Sequence, residues 1–429
     1  MPDLAVDGEV FTPSSPGYDA IRRPVNAAFQ DVRPALVVRC RSVTDVVATV
    51  RYAAATGQRL VPRGGGHCFA GRSSTDGIVL DLSGLDGISM ADNRISTIGA
   101  GARLAQVYAA LHAHGRTLPA GCGPTVGIAG LTLGGGIGLL GRVYGLTCDR
   151  LAGAQVVLAD GSVVDCDHER EPDLFWALRG AGGGQFGVVT SLRFDTVPEP
   201  VTTRIEARWS DVAVDELVAA WQDWAPDAPD EITVNLTLES EPGAPVRATL
   251  FGATTLAEAP ARELLRGLTD RPCELRGDLP YPLLKSSFAD LDPPDRAVRA
   301  RSEFFARAMA DRTLASLLDQ LGERRAVGWR QLAFTAMGGA YNRVAADATA
   351  FAHRGERFLL EHIAEAAGPW VDRSWATAHA GASGRVYPNF PDPALDDWAA
   401  AYHAGNHRRL AAVKAAYDPQ RFFDFPQAI

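Results

Sequence analysis

The chain has 429 residues, 46% of them apolar and 22% charged, and a formal net charge of −9. That length suits two or three domains around buried cores, and the composition excludes a disordered chain, a fibrous repeat and a small disulfide scaffold. The acidic balance lacks the cationic field that draws a protein to nucleic acid or to an anionic membrane surface, and no run approaches the roughly 20 apolar residues of a bilayer-spanning helix.

In chain order, Met1–Glu9 shows neither a basic start nor an apolar run, so no secretory leader is expected. Ala35–Val38 reads as a strand. Ser42 is an N-cap for a helix carrying Val43, Val46, Val47 and Val50 on one face and ending at Gly57. Arg59–Pro62 is a strand running into Arg63-Gly64-Gly65-Gly66-His67; Ile78–Leu82 and Ile95–Ile98 follow. Arg103–His114 is an amphipathic helix stopped by Gly115, and a second glycine-dense tract spans Gly121–Gly141. Ala154–Leu158 and Val163–Cys166 flank Asp160-Gly161 as a hairpin, Asp173–Arg179 is a short helix, and Gly187–Phe194 a strand.

Pro198-Glu199-Pro200 marks a boundary. Beyond it Arg204–Ser210, Thr233–Leu238, Arg247–Ala253 and Gln331–Met337 alternate like one-sided antiparallel strands, with helices Asp215–Trp224, Ala259–Leu268 and Glu303–Leu321 between them. The arginine-rich stretch Arg296–Arg330 places Phe304, Phe305, Leu314 and Leu317 at helical spacing and reads as a solvated amphipathic helix. Trp398–Tyr417 is a closing helix.

Several patterns imitate chemistry without carrying it. Gly99-Ala100-Gly101 follows a strand, but the third glycine position holds Leu104 and no acidic residue stands about 20 residues on, so a tight turn explains it better than a dinucleotide site. His403 and His407 have i, i+4 spacing without H-E-x-x-H and read as a surface pair; His112 and His114 read as solvent-facing. No G-x-S-x-G elbow occurs, and the sequon at Asn235 lies inside an apparent strand. The six cysteines (Cys40, Cys68, Cys122, Cys148, Cys166 and Cys273) form no C-x-x-C pair, which with the missing leader leads to reduced thiols and a cytoplasmic location as expectations.

The glycine tracts are the informative feature. Consecutive glycines bring backbone N–H groups close to an anion, so Arg63–His67 and Gly134–Gly138 read as two nests for an extended pyrophosphate. Arg63-Gly64-Gly65-Gly66-His67-Cys68-Phe69-Ala70-Gly71 resembles the first flavin-binding segment of the vanillyl-alcohol-oxidase-like flavoproteins and, more narrowly, of the berberine-bridge-enzyme-like oxidases. Four further blocks agree in order: Pro124-Thr125-Val126-Gly127 through Gly138, Tyr144–Asp149, Asp173–Gly180 with Phe186–Thr190, and a C-terminal set of Tyr387-Pro388-Asn389, Tyr402, Asn406 and Lys414 through Phe422.

The resemblance implies an α+β architecture: a PCMH-type FAD-binding fold (residues 1–200 and 385–429) and a substrate domain (201–384) with an antiparallel sheet covered by helices. It implies FAD bonded through His67 to the flavin 8α-methyl, with Arg63, Gly64, Gly65, Gly66, Cys68 and Gly71 around it. The second segment would contribute Gly121, Cys122, Thr125, Val126, Gly127, Gly130, Leu131, Gly134, Gly135, Gly136 and Gly138; the third Gly187, Val188 and Val189; the last Asn389 and Asn406. Some members carry a second, cysteinyl link from the residue before Pro-Thr-Val-Gly. Here that residue is Gly123, and Cys122 stands one position earlier, about 3.3 Å along an extended chain and turned to the other face, so a single link is expected. Gln185 replaces the more usual asparagine before Phe-Gly.

The implied activity is removal of hydride from a C–H beside a hydroxyl or amine of a small molecule, with dioxygen as acceptor and Val126 at the position that governs its access. A dehydrogenase using another acceptor and a non-catalytic flavin carrier are the alternatives. Tyr387 and Tyr402 are the candidate bases, with Tyr341 third; the plain alternative is that they pack against the cofactor edge. Trp209, Trp221, Trp224 and Trp329 are candidates for stacking on a substrate ring, with core packing as their ordinary role.

Overall fold

A computed structural model describes residues 4–91, 94–288, 297–323 and 328–429. Residues 1–3 of the leader reading, and Arg296 with residues 324–327 of the arginine-rich stretch, lie outside the described residues.

The first sheet has strands β1 (Glu9–Phe11), β2 (Leu36–Arg39), β3 (Leu60–Arg63) and β4 (Ile78–Asp81) in the order β1-β2-β4-β3. The β2-β4-β3 ladders are parallel, and β4, buried along its whole length, reads as an unbroken apolar run for that reason. The crossover from β2 to β3 is the helix Val43–Thr56. Its start is fixed by a capping box, in which Ser42 accepts from the Asp45 N–H and Asp45 accepts from that of Ser42; Gly57 at φ 64° ends it. β3 therefore delivers Gly64 and its successors to the carboxyl end of a parallel strand, where open sheets of this kind place ligands.

The next strands are β5 (Ile88–Met90), β6 (Ile95–Gly99), β7 (Arg116–Thr117), β8 (Leu151–Val157), β9 (Val163–Cys166), β10 (Val188–Asp195) and β11 (Val197–Pro198). Five form an antiparallel sheet ordered β5-β6-β10-β8-β9, while β7 and β11 pair separately. The hairpin at Asp160-Gly161 is β8–β9. Both sheets share one apolar core with the helices Val43–Thr56, Leu104–His112 and Pro172–Leu178.

The third sheet is built by β12 (Thr202–Trp209), β13 (Ile232–Ser240), β14 (Arg247–Thr254), β15 (Glu274–Leu279), β16 (Val298–Phe305), β17 (Arg330–Ala336) and β18 (Phe358–Glu365). Its order is β15-β12-β14-β13-β17-β18-β16, antiparallel throughout. Helices Val214–Trp224, Asp311–Leu321 and Trp370–His379 bury one face against Leu236, Leu332, Phe334, Phe358 and Leu360. The alternate residues turn to the opposite face, toward the first two sheets.

Two readings are corrected here. Glu303–Leu321 is not one helix: Phe304 and Phe305 end β16, and the helix starts at Asp311. Their adjacency satisfied a helical period by coincidence, whereas in the strand one faces each side of the sheet. The closing helix is also broken. It runs Trp398–His403, turns at Ala404 with φ 48°, and resumes at His407–Tyr417. His403 is consequently buried, not half of a surface pair, while His112 and His114 are exposed as expected.

The two halves are bolted by Arg142. Its buried guanidinium donates to the carbonyls of Ile232 (3.1 Å), Pro226 (2.9 Å), Ala228 and Met337, all from the third-sheet region. Arg142→Met keeps the bulk and strands four buried acceptors. It is expected to lower unfolding free energy by about 3–5 kcal/mol in urea titration, and a loss below about 1 kcal/mol would show that the bolt is dispensable.

Candidate active site

The first glycine tract is an open donor surface. Among the described residues, the backbone N–H groups of Gly64 through Cys68 donate to no acceptor of the chain. Consecutive N–H groups left open at a strand's carboxyl end suit a phosphate-bearing group. Gly65 is required for a different reason: a Cβ there would stand 2.3 Å from the Gly127 nitrogen, and one on Gly127 would stand 2.4 Å from that of Gly65. The two segments cross backbone to backbone, and only glycine fits at the crossing.

That crossing sets His67 beside Thr125, with His67 Nε2 2.9 Å from the Thr125 hydroxyl. Among the described residues Nδ1 has no partner. Burial, helped by the Arg103 charge, holds the imidazole below its ordinary pKa, so it is neutral near pH 7. In the tautomer whose Nε2–H donates to Thr125, the Nδ1 lone pair is free, and that is the form of imidazole that can bond to carbon. Arg63 is not available to a ligand: its guanidinium is buried and donates to the carbonyls of Ile21 and Arg22. Cys68 is half-buried, and Gly71 at φ 70° packs on the Phe29 ring.

The second tract departs from the expected nest. Its N–H groups are taken: Gly136 and Ile137 donate to the Tyr387 phenol oxygen at 2.9 and 3.1 Å, and Gly138 donates to that of Tyr341 at 3.0 Å. Asn389 Nδ2 adds a third donor to Tyr387 at 2.9 Å and also reaches the Leu131 carbonyl. Burial pushes the Tyr387 phenol up to about 12 despite those three donors, leaving roughly one molecule in 10⁵ ionised at pH 7. Around it Gly134 and Gly135 abut Asn389 and Phe351, and Gly138 abuts the Ala120 carbonyl.

Tyr402 and Asn406 lie elsewhere. The Tyr402 hydroxyl accepts from the Asp392 N–H at 2.7 Å and contacts Gln427, while Asn406 donates to the carbonyls of Ala346, Thr349 and Ala350. Both brace the C-terminal chain. Val126 is half-buried against the first core, Gly130 has open space at its Cβ position, and Gly187, Val188 and Val189 sit at and inside β10. Gly121 and Cys122 are held from behind by Lys285, whose Nζ is 2.9 Å from the carbonyls of Ala120 and Gly121 and 3.4 Å from Cys122 Sγ. Gln185 pins the chain end, its Oε1 accepting from the Ile429 N–H. Trp209 and Trp221 lie in the helix-covered core; Trp329 faces the first half with Phe69.

A further pair of donors escaped the sequence reading. Gly183 and Gly184 offer N–H groups that, among the described residues, have no chain acceptor, and Gly184 stands beside Pro62 of β3. The run Gly180–Gly184 was the available signal. An open row of N–H donors, a neutral imidazole with one free nitrogen and glycines spaced for close approach together fit FAD.

The sequence matches the FAD binding domain family over residues 34–167 and the berberine and berberine-like family over residues 386–429. It is 30% identical to the FAD-linked oxidoreductase YgaK of Bacillus subtilis, over 100% of this chain and 98% of that one. It is 28% identical to the chitooligosaccharide oxidase of Gibberella zeae, over 92% and 87%. The BBE-like 1 protein of Physcomitrella patens superposes with a TM-score of 0.89 at 26% identity, over 99% and 97% of the two chains.

Tyr387→Phe removes the acceptor shared by Gly136, Ile137 and Asn389 and keeps the ring. It is expected to cost about 1–3 kcal/mol in chemical denaturation, and a neutral result would mean that the three donors find other partners.

Proposed function

The chain belongs to the berberine-bridge-enzyme-like FAD-linked oxidoreductases, and we propose that within this family it is an oxidase with covalently held flavin acting on sugars or related small alcohols. The observation that carries the covalent link is the neutral His67 imidazole with Thr125 on one nitrogen and the other free. Gly64–Cys68 would hold the pyrophosphate through their open N–H groups, and Gly183 and Gly184 would assist. The chemistry FAD supplies when bound is two-electron oxidation of a C–H beside a hydroxyl or amine, with dioxygen as acceptor and hydrogen peroxide as product.

The chain's own residues do the rest. Thr125 holds the rotation of the His67 ring through Nε2. Lys285 clamps the Ala120–Cys122 segment and engages the Cys122 sulfur, which supports a single covalent link. Tyr387, protonated at neutral pH and gripped by three donors, is suited to orient a substrate oxygen more than to remove its proton. Its ring, with Phe390 and Phe69, lines an apolar edge that would exclude water. The sugar reading draws support from the chitooligosaccharide oxidase relative and from the polar side chains on the facing sheet, among them Thr237, Gln331 and Thr335.

Acid-denatured protein run on a gel is expected to keep flavin fluorescence in its band, and His67→Ala to lose it while retaining dissociable flavin. Oxygen uptake with peroxide release on a panel of mono- and disaccharides, primary alcohols and amines tests the activity. Fast dye reduction with no oxygen uptake would instead identify a dehydrogenase, and flavin that no compound reduces would leave a carrier protein.

A further inference from the structure

One buried lysine is set against a cysteine. Lys285 lies on the helix Tyr281–Ser286, which follows β15 of the third sheet, and reaches across to the segment Ala120–Cys122 of the first half. The residue is 3% exposed. Its Nζ lies 2.9 Å from the carbonyls of Ala120 and Gly121 and 3.4 Å from Cys122 Sγ. Beyond its bond to Cε the nitrogen has three directions. Two end on carbonyl oxygens, which can only accept, so both carry N–H groups; the third ends on sulfur. Burial lowers the Lys285 pKa and so favours the neutral amine, in which the lone pair takes that third direction.

The pairing is specific. The chain has two lysines and six cysteines. Lys414 is spent on the carbonyls of Gln185 and Phe423 and on Asp418. Cys40, Cys148, Cys166 and Cys273 are buried. Cys68 and Cys122 are half-buried, within reach of a small solute, and of these two only Cys122 bonds a lysine. Two phenols wall the pair. Tyr108 has its ring centroid 5.3 Å from Nζ and donates to the Gly121 carbonyl at 2.7 Å. Tyr281 has its centroid at 5.1 Å, and its buried hydroxyl is outside hydrogen-bond distance of any partner among the described residues. It is a spare donor for an oxygen carried on the sulfur. Cys122 also stands three residues before Thr125, the partner of His67, so it borders the seat inferred for the flavin.

We propose that Cys122 and Lys285 form a modification site for hydrogen peroxide, which closes them into a covalent S–N bridge. The sulfur electron pair attacks peroxide and the O–O bond breaks; Cys122 becomes a sulfenic acid and one water leaves. The Lys285 lone pair then displaces the sulfenic hydroxyl, which leaves as a second water with a proton from the amine. Sulfur is oxidised by two electrons, peroxide is reduced to water, and the protein loses two hydrogens in all. Attack of a thiol on the sulfur returns the amine. The bridge holds the sulfur at a level that thiols restore, short of the irreversible sulfinic acid, and ties the helix Tyr281–Ser286 to the segment leading into Thr125. The oxidase reading would supply the peroxide on site, but the bridge needs only that peroxide be present.

The test treats the holoenzyme with hydrogen peroxide and maps its peptides without reductant. The peptides carrying Cys122 and Lys285 are expected to run as one species about 2 Da lighter than their sum, and to separate after dithiothreitol. Lys285→Arg keeps the charge and the donors but has no amine to condense, so its Cys122 should instead gain about 32 or about 48 Da as sulfinic or sulfonic acid. Cys122→Ser should give no joined species. Should the variants misfold, amine labelling of denatured wild type decides: Lys285 should be protected after peroxide and labelled again after dithiothreitol. A Cys122 that stays a free thiol, that reaches the sulfonic acid with Lys285 unmodified, or that carries flavin would overturn the proposal. Turnover of the fastest compound in the panel above then replaces the added peroxide. Joining with added peroxide but never in turnover would leave the bridge standing and count against the oxidase reading alone.

Discussion

One phenol oxygen organises the site. Tyr387, in the final stretch of the chain, accepts from Gly136, Ile137 and Asn389, and so fastens the C-terminal segment into the glycine tract some 250 residues earlier. Buried N–H groups must find acceptors, and a tract of glycines at the core of two domains has few of its own. The tyrosine supplies that acceptor. Because its ring also touches Phe304 and Phe351 of the third-sheet region, the same residue fixes the distance between the sheet and the glycine segments. Phe304 and Phe351 are thereby set against the glycine tract.

Buried cations repeat the logic at the edges. Arg142 gives its donors to four carbonyls of the third-sheet region, Lys285 to those of Ala120 and Gly121, and Lys414 to those of Gln185 and Phe423 with Asp418 as counterion. Arg354 pairs with Asp149 at 2.6 Å beneath the Tyr341 carbonyl. Most of these acceptors lie in loops or at the ends of regular elements, as Ile232 does at the start of β13. The only two lysines of the chain are both spent this way.

The first half was legible because its signals are local. Ser42 with Asp45, Gly57, Asp160-Gly161 and the glycine runs each set one bond or one turn within a few residues. The third sheet was legible as strands but not as a surface. Which residues of β18 face the site depends on register with β16 and β17, from parts of the chain up to 67 residues away. β18 was not among the strands read from the sequence, and Glu361 and His362 interrupt its apolar run. The second glycine tract misled in the opposite direction. Its composition suits an anion nest, but composition does not reveal that two phenols from distant segments occupy the donors.

The surroundings of Tyr387 decide what it can do. Burial pushes its phenol up to about 12, and its neighbours are N–H dipoles and aromatic rings, which favour a phenolate less than a cation would. The phenol therefore keeps its proton at neutral pH and is suited to hold an oxygen more than to take a proton from one. Tyr341 offers no substitute, because burial pushes its phenol up further still and its hydroxyl is spent on Gly138. Tyr387 is set by the glycine tract on one side and the third-sheet region on the other, so the geometry around it is a property of the interface and of neither half alone.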